Sequence, residues 1–432
     1  MATELIVMIF LCYFLEGSAL MLSYSSVLLF SIYNSATLSY LGLMHHVILS
    51  ALTKVFDVRT FGAKPEADIS QALLAAWKEA CATPTPSTVW IPKGTWSLKQ
   101  AKLVGPNKAP IELKVEGILK APLDPTQMPN KEGEWVTINY LDNFTLSGGG
   151  VFDGQGHEAW KRNDCHKNNN CVKLPLNLSF NFITNSTIKD VTTKDSKNFH
   201  VNVIGCYNVT FLRFTVSAPG DSPNTDGLHI ARSKLINVTD SVIETGDDCV
   251  SMGDGLQQVH IQNVMCGPGH GISVGSLGRS TTEEDVVGIY VKNCTFIGTQ
   301  NGVRIKTWPS APATLQVTNL EFEDLIMENV TYPIVIDQEY CPYNLCKLDT
   351  PSLVKISNVK MGKIRGTTND PVAVKLICSA TKPCENVQVG DIDLKYDGRL
   401  GNITTKCNNV KPSLIGKQNP PLCVPDAAKQ SA

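Results

Sequence analysis

No lysine or arginine occurs in this chain before Lys54. A secretory signal ordinarily opens on basic residues, and here Glu4 stands in that place. Long apolar runs are missing too. Residues 5–15, 20–33 and 41–52 are largely apolar, the last broken by His45-His46. None reaches about 18 strongly apolar residues in succession, the length of a membrane span. Residues 5–15 match a signal core in length, and Gly17-Ser18-Ala19 resembles a small-residue cleavage site. We expect residues 1–53 to be a hydrophobic leader, a signal peptide cleaved after Ala19 or as late as Ala51. An uncleaved anchor or an N-terminal extension is the alternative. Residues 54–432 are expected to form one domain, with no stable membrane association once the leader is removed.

Charge is sparse, at 18% of residues and a net −2, so no global field draws in nucleic acid or another polyanion. Recognition of an anion has to come from a local cluster. Aromatic residues are few, at 7%. Paired C-x₂-C spacing is absent, which argues against zinc. There is no P-loop, G-x-S-x-G, H-E-x-x-H or dinucleotide fingerprint in context, so no cofactor is expected.

What the chain does have is 14 cysteines and eight N-x-[ST] sequons, at Asn143, Asn177, Asn185, Asn208, Asn237, Asn293, Asn329 and Asn402. Together they point to the secretory pathway, although Asn-Val-Thr also suits strand-and-turn repeats. Cys165/Cys171, Cys341/Cys346, Cys378/Cys384 and Cys407/Cys423 are spaced to close short loops, and Cys249 and Cys266 flank the most unusual segment.

One helix is predicted, opening with Asp68 as N-cap and Gln71 at the capping-box position. Ile69, Leu73, Ala76, Trp77 and Ala80 recur at helical spacing, and the helix should end near Cys81, before Pro84 and Pro86. Its natural role is to close the open end of a solenoid. Beyond Val89 short apolar/polar alternations recur beside Asn. They include Thr187–Val191, Asn208–Phe211, Asn237–Thr239, Val259–Asn263, Ile289–Asn293, Leu320–Phe322, Val354–Ile356 and Val387–Val389. Spacings of 20 to 35 residues suit the coils of a parallel β-helix. Helices between strands, as an α/β fold needs, are not evident, nor are the closer turns of a sandwich. The stretch from about Thr404 is polar and reads as a disulfide-held tail.

The chemistry follows the same period. Asn224-Thr225-Asp226 is followed by Gly246-Asp247-Asp248, then Gly269-His270-Gly271, then Arg304-Ile305-Lys306. Residues one coil apart stack roughly 4.8 Å apart on one face. Adjacent carboxylates repel, so one of the Asp247/Asp248 pair is expected to have a raised pKa. Both reach one cleft only if a bend intervenes, which Gly246 allows. Glycines around His270 would let a ligand approach the backbone. Alternation places Arg304 and Lys306 on one face, with Ile305 inward. Tyr340 lies about one coil and a loop beyond Arg304, placed to touch a sugar. Asp-based acid/base work with a cationic clamp suits cleavage of an anionic glycan.

These four segments, in this order, resemble the signature of plant polygalacturonases, pectin-degrading glycoside hydrolases of family 28. The resemblance runs from about Val55 to Cys423 and includes Phe56-Asp57-Val58 through Phe61-Gly62-Ala63. Pro84–Trp96 and Cys171–Val203 look most like the pollen-type exopolygalacturonase branch. It implies an all-β, right-handed single-stranded parallel β-helix with a short N-terminal capping helix. It also implies metal-free, inverting hydrolysis of α-1,4-galacturonan by a secreted enzyme of the cell wall, expected as a monomer. Asp247 would be the general acid, Asp226 and Asp248 would hold and deprotonate water, and His270 would support the acid. Asn224, Arg304, Lys306 and Tyr340 would bind substrate. Pectic polysaccharide is then the partner. Endo action, a rhamnogalacturonan-type hydrolase, a Ca²⁺-dependent pectate lyase and a non-catalytic wall-binding protein are the alternatives. Two departures stand out: the long leader without basic residues, and Lys64-Pro65-Glu66-Ala67-Asp68 where many relatives carry a Gly-Asp-Gly-like turn.

Overall fold

The computed structural model describes residues 53–129, 133–164, 168, 171–310, 312–342, 346–396 and 398–423. The leader and its cleavage sites lie outside these residues, as does Cys165.

The chain winds as a right-handed parallel β-helix. Val89, Leu113, Leu146, Ile188, Phe211, Val238, Ile261, Val291, Phe322, Met361 and Val389 are partners in successive coils. All are buried. Alternation makes this column, because every second side chain of a strand points inward and parallel register repeats the choice at each rung. Each such side chain contributes about 1.5–3 kcal/mol by leaving water. The predicted alternations from Thr187 to Val389 all fall on this wall of the solenoid.

A second ladder of eleven parallel strands forms another wall. Its central members are Val201–Ile204, Leu228–Ala231, Val250–Met252, Ile272–Leu277, Asn301–Thr307, Tyr332–Asp337 and Val372–Ile377. The stretch expected to be a tail instead extends both ladders. Thr404–Asn408 pairs with Val372–Ile377, and Ser413–Asn419 pairs with Glu385–Tyr396. The disulfide Cys407–Cys423 closes it, Cys341–Cys346 and Cys378–Cys384 pair as their spacing suggested, and Cys249 and Cys266, for which no pairing was expected, are also joined.

The helix α1 spans Ser70–Ala82, and its apolar side, with Leu73, Ala76, Trp77 and Ala80, joins the core. Its start differs from expectation. Ile69 precedes the first turn and makes no side-chain cap. Asp68, one residue further back, accepts from Ser70 N (3.1 Å) and also from Lys99 N (3.1 Å), tying the helix to the next coil.

Several sequon asparagines serve the turns. Asn185, Asn208 and Asn293 hold left-handed backbone, with φ of 49°, 54° and 51°, which Asn tolerates. Asn208 donates to Asn185 Oδ1 (2.9 Å) and Asn293 to Asn263 Oδ1 (2.6 Å). Asn177 is buried and donates to Thr193 Oγ1 (2.9 Å), so in the folded chain its amide is not open to a glycan.

Candidate active site

The site forms where the chain enters three successive strands of the eleven-stranded ladder. Leu228, Val250 and Ile272 are register partners, and Asp226, Asp248 and His270 each precede their partner by two residues. Backbone bonds continue the rungs across this approach, from Gly227 N to Asp248 O (2.9 Å) and from Cys249 N to Gly271 O (2.8 Å). Cys249–Cys266 braces the segment that carries both aspartates.

A bend at Gly246 resolves the problem of adjacent aspartates. A Cβ there would stand 2.0 Å from the Ser222 carbonyl oxygen, so only glycine lets the chain turn against the preceding coil. Asp248 then enters the wall and is buried, while Asp247 stays partly exposed. Oδ1 of Asp247 accepts from Asp248 N (2.8 Å) and meets His270 Nδ1 at 2.9 Å. His270 N also donates to the Asp247 carbonyl (2.7 Å), so two contacts fix the imidazole on this residue. The glycine after His270 serves a neighbouring coil rather than a ligand. Gly271 has φ of 88°, and a Cβ on it would stand 2.1 Å from Asn301 O.

Arg304 and Lys306 face outward around buried Ile305, as alternation predicts, and both engage Asp248. Arg304 reaches Asp248 Oδ1 at 2.9 Å and Lys306 Nζ reaches Oδ2 at 2.7 Å. Ser273 Oγ donates to Oδ1 (2.7 Å) and accepts from Arg304 Nε (3.1 Å). Burial opposes ionisation of Asp248, but Lys306 and Arg304 outweigh it and hold the carboxyl below its usual range. The carboxyl raised well above the usual range is Asp226, outside the adjacent pair. Burial is the main cause, and Asp247 and Asp248 add to it. Within the adjacent pair the two cations settle on Asp248 and keep it ionised.

Tyr340 lies beside the cations, its ring centre 5.3 Å from Lys306 Nζ and 5.8 Å from the Arg304 guanidinium carbon. Trp308 meets it edge-on at 5.4 Å, with Arg279 over the indole at 5.3 Å. Asn224 is exposed, and one N–H of its amide donates to Asn198 Oδ1 (2.8 Å), so it belongs to the rim. Asp247, Asp248 and His270 could each offer one ligand atom to a cation within 4.8 Å of the others. The oxygens involved already serve His270, Ser273, Arg304 and Lys306, which makes this a poor cation cage.

Sequence reasoning passed over His229, Ser251 and Ser273. They form an outward row in register with Arg304. His229 Nδ1 meets Ser251 Oγ at 2.9 Å, and Ser251 in turn hydrogen-bonds Asp226. Burial lowers His229 to about 4. The signal was present: each stands three residues after Asp226, Asp248 or His270.

A parallel solenoid presenting three carboxylates, an imidazole and two cations on one wall defines a glycan-cleaving enzyme. The chain belongs to the glycosyl hydrolases family 28, whose model matches residues 81–419. It is 56% identical over 379 residues to a polygalacturonase of Nicotiana tabacum, covering 88% of this chain and 94% of that one. With an exopolygalacturonase of Oenothera organensis it shares 53% identity over 84% of this chain and 99% of the relative. Endo-xylogalacturonan hydrolase from Aspergillus tubingensis superposes with a TM-score of 0.71 at 26% identity, over 83% of this chain and 96% of that structure.

Proposed function

We propose that the protein hydrolyses α-1,4 bonds between galacturonate units of pectin, from the chain end and with inversion. The observation that carries this reading is the cluster of Asp226, Asp247 and Asp248 beside Arg304 and Lys306. Asp247, partly exposed and held by His270, gives its proton to the glycosidic oxygen as the bond breaks. Asp226 and Asp248 hold a water against the opposite face of the sugar, and a carboxylate takes the proton the water loses. Arg304 and Lys306 carry more N–H donors than Asp248 and Ser273 occupy. Those donors suit the carboxylate of the sugar being cleaved, and Tyr340 and the Asn224 rim suit its ring. Metal enters no step.

Exo action is supported by the relative of that name and by the connection between Val151–Asp153 and Leu176–Asn181. Its short helix, His157–Arg162, sends Trp160 Nε1 to Ser196 O (3.1 Å), and Leu174 O accepts from Asn198 (3.3 Å). Lys197 is buried and donates to the carbonyls of Pro122 and Gly154. Asn198 is the residue that Asn224 touches, so bulk is anchored one coil ahead of the site. Such bulk suits a groove closed on that flank.

Among the described residues no helix is long and apolar enough to cross a membrane. With the disulfides and the leader, secretion to the cell wall as a monomer is the reading we adopt. Product analysis on polygalacturonate tests the activity. Free galacturonate from the first minutes, unaffected by EDTA, is expected. Mixed oligomers would mean endo action, and an unsaturated product lost with EDTA would mean a lyase.

A further inference from the structure

The outward row that begins at His229 does not stop at Arg304. Register carries it to Val335, then Lys375, then Lys406, one coil at a time. Lys375 therefore lies two coils beyond Arg304 on the same face, roughly 10 Å away, and Lys406 one coil further, roughly 14 Å away. Neither lysine is in an ion pair within 4 Å among the described residues, unlike Arg304 and Lys306. Lys375 is half-buried, with its ammonium 3.1 Å from the centre of the Tyr332 ring, which holds it in place. Lys406 is exposed. Val335, between Arg304 and Lys375, is apolar and buried, so it adds no competing charge to the row.

The acidic groups nearby offset this row only in part. Asp370 accepts from Tyr332 and its charge partly offsets Lys375, while burial raises Asp337 above its usual range. Burial lowers the pKa of Lys375 and Lys406 lowers it further, against a partial offset from Asp370 and Asp337. An arriving carboxylate would relieve both costs.

We propose that Lys375 and Lys406 form a distal carboxylate subsite, which holds galacturonate units of the same polymer beyond the clamp at Arg304 and Lys306. The inference rests on the galacturonan reading and deepens it. A polymer closed off ahead of Asn224 has to leave the site across the later coils, where a regular polyanion meets cations at coil spacing. The overall charge of −2 offers no general attraction, so a local row of this kind is what would retain a long chain.

Direct binding tests this without relying on turnover. Titration calorimetry in an Asp247→Asn background, where neither ligand is cleaved during the titration, would compare the otherwise unaltered protein with Lys406→Gln and with Lys375→Gln/Lys406→Gln, using digalacturonate and an oligogalacturonate of about ten units at low salt. Lys406 is exposed, so its single variant keeps the fold. Digalacturonate is too short to span from the clamp to Lys375 and should bind all three proteins alike. The longer chain should bind the double variant about five- to tenfold more weakly, the factor two partly exposed ion pairs supply. The single variant should fall between, and the gap should close at high salt. An equal loss on both ligands, or no loss on the longer one, overturns the proposal. If neither ligand binds the otherwise unaltered protein, the galacturonan reading itself fails and the subsite falls with it. Binding without hydrolysis by the parent protein would refute only the catalytic roles.

Discussion

Replacing Lys306 by methionine separates two uses of its ammonium, holding a substrate carboxylate and holding Asp248 ionised. Nζ lies 2.7 Å from Asp248 Oδ2, with side chains only 9% and 2% exposed. It also lowers the pKa of Asp226. Methionine keeps the apolar stem and removes the charge. A hydrogen bond to a charged group contributes about 1.5–3 kcal/mol, and one pKa unit is about 1.4 kcal/mol. Arg304 and Ser273 remain on Asp248 Oδ1, so the lower end applies and the cluster should take up its proton roughly one pH unit higher. A base must be ionised to act on water. Rate therefore falls as pH drops through the pKa of the cluster, and raising that pKa moves the acid limb upward. The assay is kcat/KM on digalacturonate across the acidic range, which reports on the free enzyme. If the loss is the same factor at every pH and the limb stays in place, Lys306 serves substrate alone and the reasoning is refuted. Stability should follow the same sign. The lowered pKa of Asp248 contributes stability that is present above its unfolded pKa and lost as pH falls through its folded one. Breaking a buried pair costs about 3–5 kcal/mol. The variant's urea midpoint should therefore drop most above roughly pH 4 and converge with the parent at lower pH.

Asp247→Asn should retain fold and substrate binding but lose activity by about 10²–10⁴-fold, since an amide cannot deliver the proton; near-normal turnover in a folded variant would remove Asp247 from the role of acid. Arg304→Gln should harm hydrolysis of demethylated polygalacturonate more than that of highly methyl-esterified pectin, by about 1.5–3 kcal/mol for the lost charged contact. Equal proportional losses on the two substrates would assign Arg304 to holding Asp248. His229→Leu should cost up to about tenfold in kcat, one neutral hydrogen bond's worth, and move the acid limb up by releasing Ser251 from Asp226. His229→Asn, which keeps an amide near Nδ1, should restore most of both, and failure of that rescue would leave His229 a packing residue.

The parts of this molecule that can be read from its sequence are those that repeat by burial. Ile188, Phe211, Val238 and Ile261 each sit at the same phase of an alternation, so the wall they form is visible in the order of residues alone. The wall that bears the site is quieter. Leu228–Ala231 and Val250–Met252 are four and three residues long, too short for alternation to stand out. Only the aspartates ahead of them mark their position. The period then shows which residues meet, but not which charges pair. Arg304 and Lys306 lie 56 and 58 residues beyond Asp248. The last coil before them steps from Ile272 to Val303, longer than the step from Val250 to Ile272. A spacing stretched by a loop conceals the stacking of Arg304 on Ser273, and with it the buried ion pairs. The raised pKa of Asp226 is concealed for the same reason. Adjacency in sequence draws attention to Asp247-Asp248, whereas the fold supplies Asp248 with two cations from later coils and leaves the burial cost to Asp226. Compensation from a distant coil has a consequence for the chemistry. Asp248 keeps its charge in the acidic range, so the proton balance of the site turns on Asp226, whose surroundings are the small polar row of Ser251 and His229.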